Sequence, residues 1–184
     1  WVTILIVHAS IYVPVIFYAN LLQFLITTNT IYYTLITVVT FICYGLMIGF
    51  LLNSDSFLKS HAVLSFFIIV FAVVNAIFWE KMELYNSNTS AITCIILIMY
   101  CLYYFLVLIR NPKSVFIYRE PSFWVVSGVL VYTGNFFLFA YYRDLLTREE
   151  WNFAFVIWFV TDVIILVTNI FFAKAISCLP KRLP

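Results

Sequence analysis

No Asp, Glu, Lys or Arg occurs before Asp55, so the first 54 residues form one uncharged stretch. A spanning helix needs about 20 mostly apolar residues, because each advances the helix ~1.5 Å and the hydrocarbon layer is ~30 Å thick. The stretch is therefore too long for one crossing and must fold back on itself. Its polar cluster Thr27, Thr28, Asn29 and Thr30 is the natural break, which predicts helices near 1–26 and 31–52. Asn53, Ser54, Asp55 and Ser56 end the second. Across all 184 residues, 65% are hydrophobic and 10% charged, whereas soluble domains carry roughly 45–50% apolar and about 25% charged residues. A soluble chain of 21.5 kDa could not hide that much apolar surface and keep a wettable exterior. Lipid is the solvent for most of this chain.

The remaining punctuation completes the pattern. A helix over 58–79 stops at Glu80, Lys81 and Glu83, and one over 89–109 stops at Arg110, Asn111 and Pro112. Pro112 disfavours helical geometry at the residue before it. A helix over 121–142 opens on Pro121, which suits a first helical turn. The last, over 151–176, follows the charged loop 143–150, and Pro180 and Pro184 mark a non-helical tail. The expected fold is an all-α polytopic transmembrane bundle of six helices in a single domain, 1–184. Strands are the competing reading, since Val, Ile, Phe and Tyr favour sheets. A transmembrane barrel needs ~10-residue segments alternating apolar and polar, and these runs are apolar on every face.

Counting cations by side gives the orientation. With alternate crossings, one side receives Lys59, Arg110, Lys113, Arg119, Lys174, Lys181 and Arg182, and the other Lys81, Arg143 and Arg148, which is seven against three of the ten. The positive-inside rule puts the richer side, and both ends of this stretch, in the cytoplasm. Trp79, Trp124 and Trp151, with Tyr118, Tyr141 and Tyr142, fall at proposed helix ends, where amphipathic rings prefer the interface. A net charge of +2 without a Lys/Arg cluster argues against nucleic acid as a partner. Cys43, Cys94, Cys101 and Cys178 sit in or beside apolar runs without metal-ligand spacing and read as small packing residues. No metal and no cofactor is expected.

Ionisable groups at membrane depth are costly, so each is a candidate functional group. The predicted boundaries leave two, Asp162 and His8. Asp162 lies roughly 16 Å into the last helix, close to the bilayer midplane, and His8 roughly 10 Å into the first. Asn169 follows Asp162 by seven residues, so the two share a helix face, which Thr161 and Thr168 extend. These residues, with Asn135, Tyr132 and Asn20, predict a polar pocket between the first, fifth and sixth helices. Asp162 would be its proton-responsive or ligand-binding carboxylate and His8 a partner. The alternative for the Asn, Ser and Thr residues is interhelical hydrogen bonding, worth ~0.6 kcal/mol per contact on average. A buried carboxyl can equally stay protonated and silent. Gly45 and Gly49 form a G-x-x-x-G spacing, and Gly128 and Gly134 place small residues on the fifth helix. Small residues let backbones approach closely in lipid.

Several chemistries fail on residue counts. A bis-histidine haem needs two imidazoles at membrane depth, and His61 is expected at a helix start. A retinal Schiff base needs a mid-helix Lys, and Lys174 lies at a helix end. Zincin, Walker and G-x-S-x-G motifs are absent, and the paired halves of a transporter are not found. Pro14 reads as a tolerated bend in the first helix.

The segment 120–140, E-P-S-F-W-V-V-S-G-V-L-V-Y-T-G-N-F-F-L-F-A, resembles the N-P-x-F-W-x-x-x-G-x-L-I-Y-x-x-G-N signature of an uncharacterised bacterial family of polytopic inner-membrane proteins. Pro121, Phe123, Trp124, Gly128, Tyr132, Gly134 and Asn135 match, and Glu120 departs from the family's Asn. The stretch 29–50 is similar to a second family segment, with Thr40 where the family often has an acid. The resemblance implies about seven helices, hence one more before Trp1, and a loose association with sensor histidine kinases, which points to signalling. It brings no enzymatic activity. On the residues themselves, Phe123 and Trp124 would anchor an interface, Gly128 and Gly134 permit close packing, and Asn135 hydrogen-bonds within the bundle.

The expectation is a non-enzymatic membrane sensor or accessory protein that binds a partner protein, such as a sensor kinase, or a small apolar ligand among its helices. The loops are too short to form catalytic domains. Two alternatives stand beside it. One is an intramembrane lipid-modifying enzyme with Asp162 and His8 as acid and base, which requires the two to meet. The other is a structural subunit of a larger membrane complex.

Overall fold

A computed structural model describes residues 30–78, 87–111, 116–141 and 151–178, and within them all regular structure is helical. Five long helices run α1 (Thr30–Leu52), α2 (Asp55–Phe78), α3 (Ser87–Arg110), α4 (Pro121–Tyr141) and α5 (Trp151–Ser177), with a 3-10 turn at Ile117–Arg119. Four contain segments long and apolar enough to cross a membrane: Thr34–Leu52, Asp55–Phe78, Asn88–Arg110 and Phe159–Ser177. The shortest are 19 residues, or ~28 Å at ~1.5 Å each, close to the hydrocarbon thickness. α4 has 21 residues and no charged side chain. The expected helix over 1–26 lies outside the described residues.

The chain divides into two compact units, Trp1–Ile95 and Ile96–Pro184, with the division inside α3. In the first, α1 and α2 pair antiparallel across a two-residue link. Asn53 adopts a left-handed conformation, φ 51°, while its N–H bonds Phe50 O at 3.2 Å and the Ser54 N–H bonds Gly49 O at 3.5 Å. This Schellman arrangement satisfies carbonyls that a helix end otherwise leaves open, and Asn tolerates the backbone it requires. Ser54 then caps α2, its Oγ accepting from Phe57 N at 3.3 Å, so one helix ends and the next begins without a loop. In the second unit α4 packs on α5, and Pro121 opens α4 directly after the 3-10 turn.

On α2 and α5 small and polar side chains face inward and large apolar ones outward, whereas α1 and α4 bury Phe41, Tyr44, Met47, Ile48, Val125, Val126 and Val129. The buried positions of α2 are His61, Ser65, Ile68, Ala72 and Asn75, while Phe66, Phe67, Val70, Val73, Ile77 and Phe78 are exposed. On α5, Thr161, Thr168 and Ala175 are buried and Phe159, Val160, Val163, Leu166 and Ile170 are exposed. Where lipid is the solvent no hydrophobic force pulls large apolar groups inward, so on α2 and α5 small and polar groups can make the contacts. The buried spacings of three, four and seven residues are those of helices packed at shallow angles. Pattern and length together support an integral membrane protein.

Candidate functional site

The polar groups of the described helices fall into three places. The first is the α1–α2 seam. Gly45 and Gly49 lie on one face of α1, since four residues turn a helix by about 40° beyond a full circle. Gly49 meets Leu58 and Phe57 of α2, and Gly45 meets the His61 imidazole. His61, 1% exposed, is seven positions into α2 because the helix begins at Asp55. The expected start at 58 would leave this histidine terminal, and the earlier start corrects it. Its Nε2 lies 3.3 Å from the Ile42 carbonyl of α1 and 3.4 Å from Ser65 Oγ. Phe41 tilts against the ring at 5.1 Å and Phe57 stacks at 6.5 Å. The imidazole thus fills the space that Gly45 leaves open and ties the two backbones together. The sequence signal for it is the G-x-x-x-G itself, whose small residues let the facing helix come close.

The second place joins α2 to α3. Asn75, fully buried, donates from Nδ2 to Thr89 Oγ1 at 3.4 Å and accepts at Oδ1 from Asn88 Nδ2 at 3.3 Å. Thr93 returns its hydroxyl to the Thr89 and Ser90 carbonyls, at 2.9 Å each. Buried amides in lipid need partners on both ends, and this network supplies them. Asn75→Leu is expected to destabilise the fold by roughly 1–2 kcal/mol, because Thr89 and Asn88 lose their buried partner. Titration with a denaturing detergent, read by circular dichroism, measures the shift.

The third place is the α4–α5 pair. Trp124 donates Nε1–H to the Tyr118 carbonyl at 2.7 Å and sets its ring 5.7 Å from Phe171. Phe123 lies 5.9 Å from Phe105 of α3. Gly128 faces Phe172 and Phe171. Gly134 departs from the expected close packing: a Cβ there would meet nothing within 4 Å. The physical reason is register, since six residues rotate Gly134 about 120° away from the face on which Gly128 touches α5. Tyr132 and Asn135 are buried. Tyr132 lies tilted against Phe136 at 4.6 Å, and the expected hydrogen bonding of Asn135 is not made by its Nδ2, which has no partner among the described residues.

Among the described residues, Asp162 and Asn169 are not brought together with Asn135 and Tyr132. Asp162 and Asn169 share a face, and that face is exposed, whereas Thr161 and Thr168 turn inward. One residue is about 100° of helix rotation, so the Thr161–Thr168–Ala175 stripe and the Asp162–Asn169–Ile176 stripe cannot both face α4. The small stripe wins because it admits a closer backbone approach, and it carries Asp162 away from buried Asn135 and Tyr132. His8 and Asn20, the other pocket candidates, lie outside the described residues. Asp162 is the twelfth of the 27 residues of α5 as a whole, and a carboxylate at the centre of a spanning helix costs roughly 2.5–3.5 kcal/mol on insertion scales. No three His, Cys, Asp or Glu side chains among the described residues could together hold a metal ion. Comparison with known proteins finds no matching family, no similar curated protein and no similar solved structure.

Proposed function

We propose that this chain is a non-enzymatic sensor or accessory protein of the bacterial inner membrane, crossing it six times within residues 1–184 with both ends of this stretch in the cytoplasm. Its business is binding a partner protein in the bilayer. The observation that carries the reading is the division of polar groups: His61, Asn75, Thr89, Thr93, Thr133 and Thr168 bond within or between helices, while Asp162 and Asn169 face outward. Helix-to-helix bonding leaves no converging nucleophile, base and oxyanion donor in the described helices, so the outward acid reads as a contact group. The resemblance of 120–140 to proteins associated with sensor kinases supports a signalling role for the contact.

A photoreactive residue at Val163, beside Asp162 on the exposed side, tests this in intact cells. The expected result is one dominant adduct with an integral membrane protein, identified by mass spectrometry and lost on Asp162→Leu. Adducts with lipid alone, together with a lipid turned over by the wild type but not by Asp162→Asn, overturn the reading in favour of an intramembrane enzyme.

A further inference from the structure

We propose that the exposed face of α5 seats a transmembrane helix of another protein that carries a lysine or arginine at the depth of Asp162. The proposal rests on the partner-binding reading above and supplies the partner's chemistry. Phe159, Asp162, Leu166, Asn169, Ala173 and Ile176 recur at alternating intervals of three and four residues, and all six are exposed. That is the a/d spacing of a coiled-coil seam. The facing stripe of α5, Thr161, Thr168 and Ala175, is already buried, so the helix carries two seams and the described residues fill one of them. Four of the six positions on the open seam are apolar, which suits packing against a helix; acyl chains have no use for the regular spacing or for the two polar members.

Depth and charge then select the occupant. Asp162 stands twelve residues after Glu150 and twelve before Lys174, with no other charge between. Along α5 it is ~16 Å from the helix start at Trp151 and ~18 Å from Lys174, near the middle of a ~30 Å core. A second copy of this chain is a poor fit. Copies insert in the same orientation, so a symmetric contact along this seam would lay Asp162 against Asp162. A basic side chain on a different helix neutralises the acid, and Asn169, two turns away, fixes the register as single polar seam residues do.

The test uses the full chain, fluorescently labelled, in phosphatidylcholine–phosphatidylglycerol nanodiscs. The probes are synthetic Leu/Ala transmembrane peptides with one central Lys, Leu or Glu, and binding is read by energy transfer. The Lys peptide is expected to bind about tenfold or more tightly than the Leu peptide, with the preference lost in Asp162→Asn and weakened in Asn169→Leu. Unchanged helicity and detergent resistance of both variants show that they fold. Equal binding of the Lys and Leu peptides, or a preference that survives Asp162→Asn, overturns the proposal. Self-association of the labelled chain abolished by Asp162→Leu puts a second copy on the seam and overturns it as well. A protein adduct at Val163 with no peptide preference leaves the partner-binding reading standing and removes only the basic helix; loss of both removes the two together.

Discussion

Gly45→Ala is expected to destabilise the α1–α2 pair by about 1–3 kcal/mol, although alanine is the better helix former by about 1 kcal/mol. The new methyl would clash with the His61 ring, 2.6 Å from Nδ1 and nearer still to Cε1 and Nε2. The ring cannot retreat freely, because Phe41 and Phe57 flank it and Nε2 is held to the Ile42 carbonyl. The diagnostic experiment is the double variant. His61→Ala alone empties a site and loses the tie to α1, yet in the Gly45→Ala background it removes the clash. The two effects should then fall short of additivity by about 0.5–3 kcal/mol, the range for residues in contact. Detergent titration of the four proteins measures the cycle. Simple additivity would mean that the ring and the glycine do not share the space the structure gives them.

The second large effect separates two glycines on one helix. Gly128→Leu is expected to cost about 1–3 kcal/mol, because its Cβ alone would lie 2.8 Å from Phe172 Cε1 and 3.2 Å from Phe171 Cβ, and three further carbons must displace those rings from α4. Gly134→Ala should do the opposite. A Cβ there meets nothing within 4 Å, and replacing glycine within a helix stabilises it by roughly 0.5–1 kcal/mol. The sign difference is the measurement. Both variants are followed by the same unfolding titration, and a loss of stability at position 134 would put a close neighbour where the structure has none.

Much of the helix pattern is legible in the sequence, because charge and Pro breaks in an apolar chain report directly on where spans end. α1 opens one residue before the predicted 31–52 and shares its end at Leu52, and α4 opens at Pro121 as predicted for 121–142, whose last residue lies outside the described ones. The start of α2 is harder. Asp55 and Ser56 look like loop, but Ser54 caps and Asp55 suits the first turn of a helix, so the helix begins three residues early and draws His61 inward. Facing is harder still. In a helix apolar on all sides the side turned to a neighbour is chosen by small residues, so Thr161, Thr168 and Ala175 outrank the more conspicuous Asp162. Polarity alone does not decide the facing: Asn75 is buried and finds amide and hydroxyl partners on α3, while Asp162 lies on the exposed side of α5.

The two-residue link at Asn53 and Ser54 has a consequence for how the chain is made. With both backbone ends of the turn already satisfied, α1 and α2 can leave the ribosome and enter the bilayer together as one hairpin closed by a short polar knuckle. Lengthening that knuckle with flexible residues would let the two rods partition separately, and biogenesis, more than final stability, would register the change.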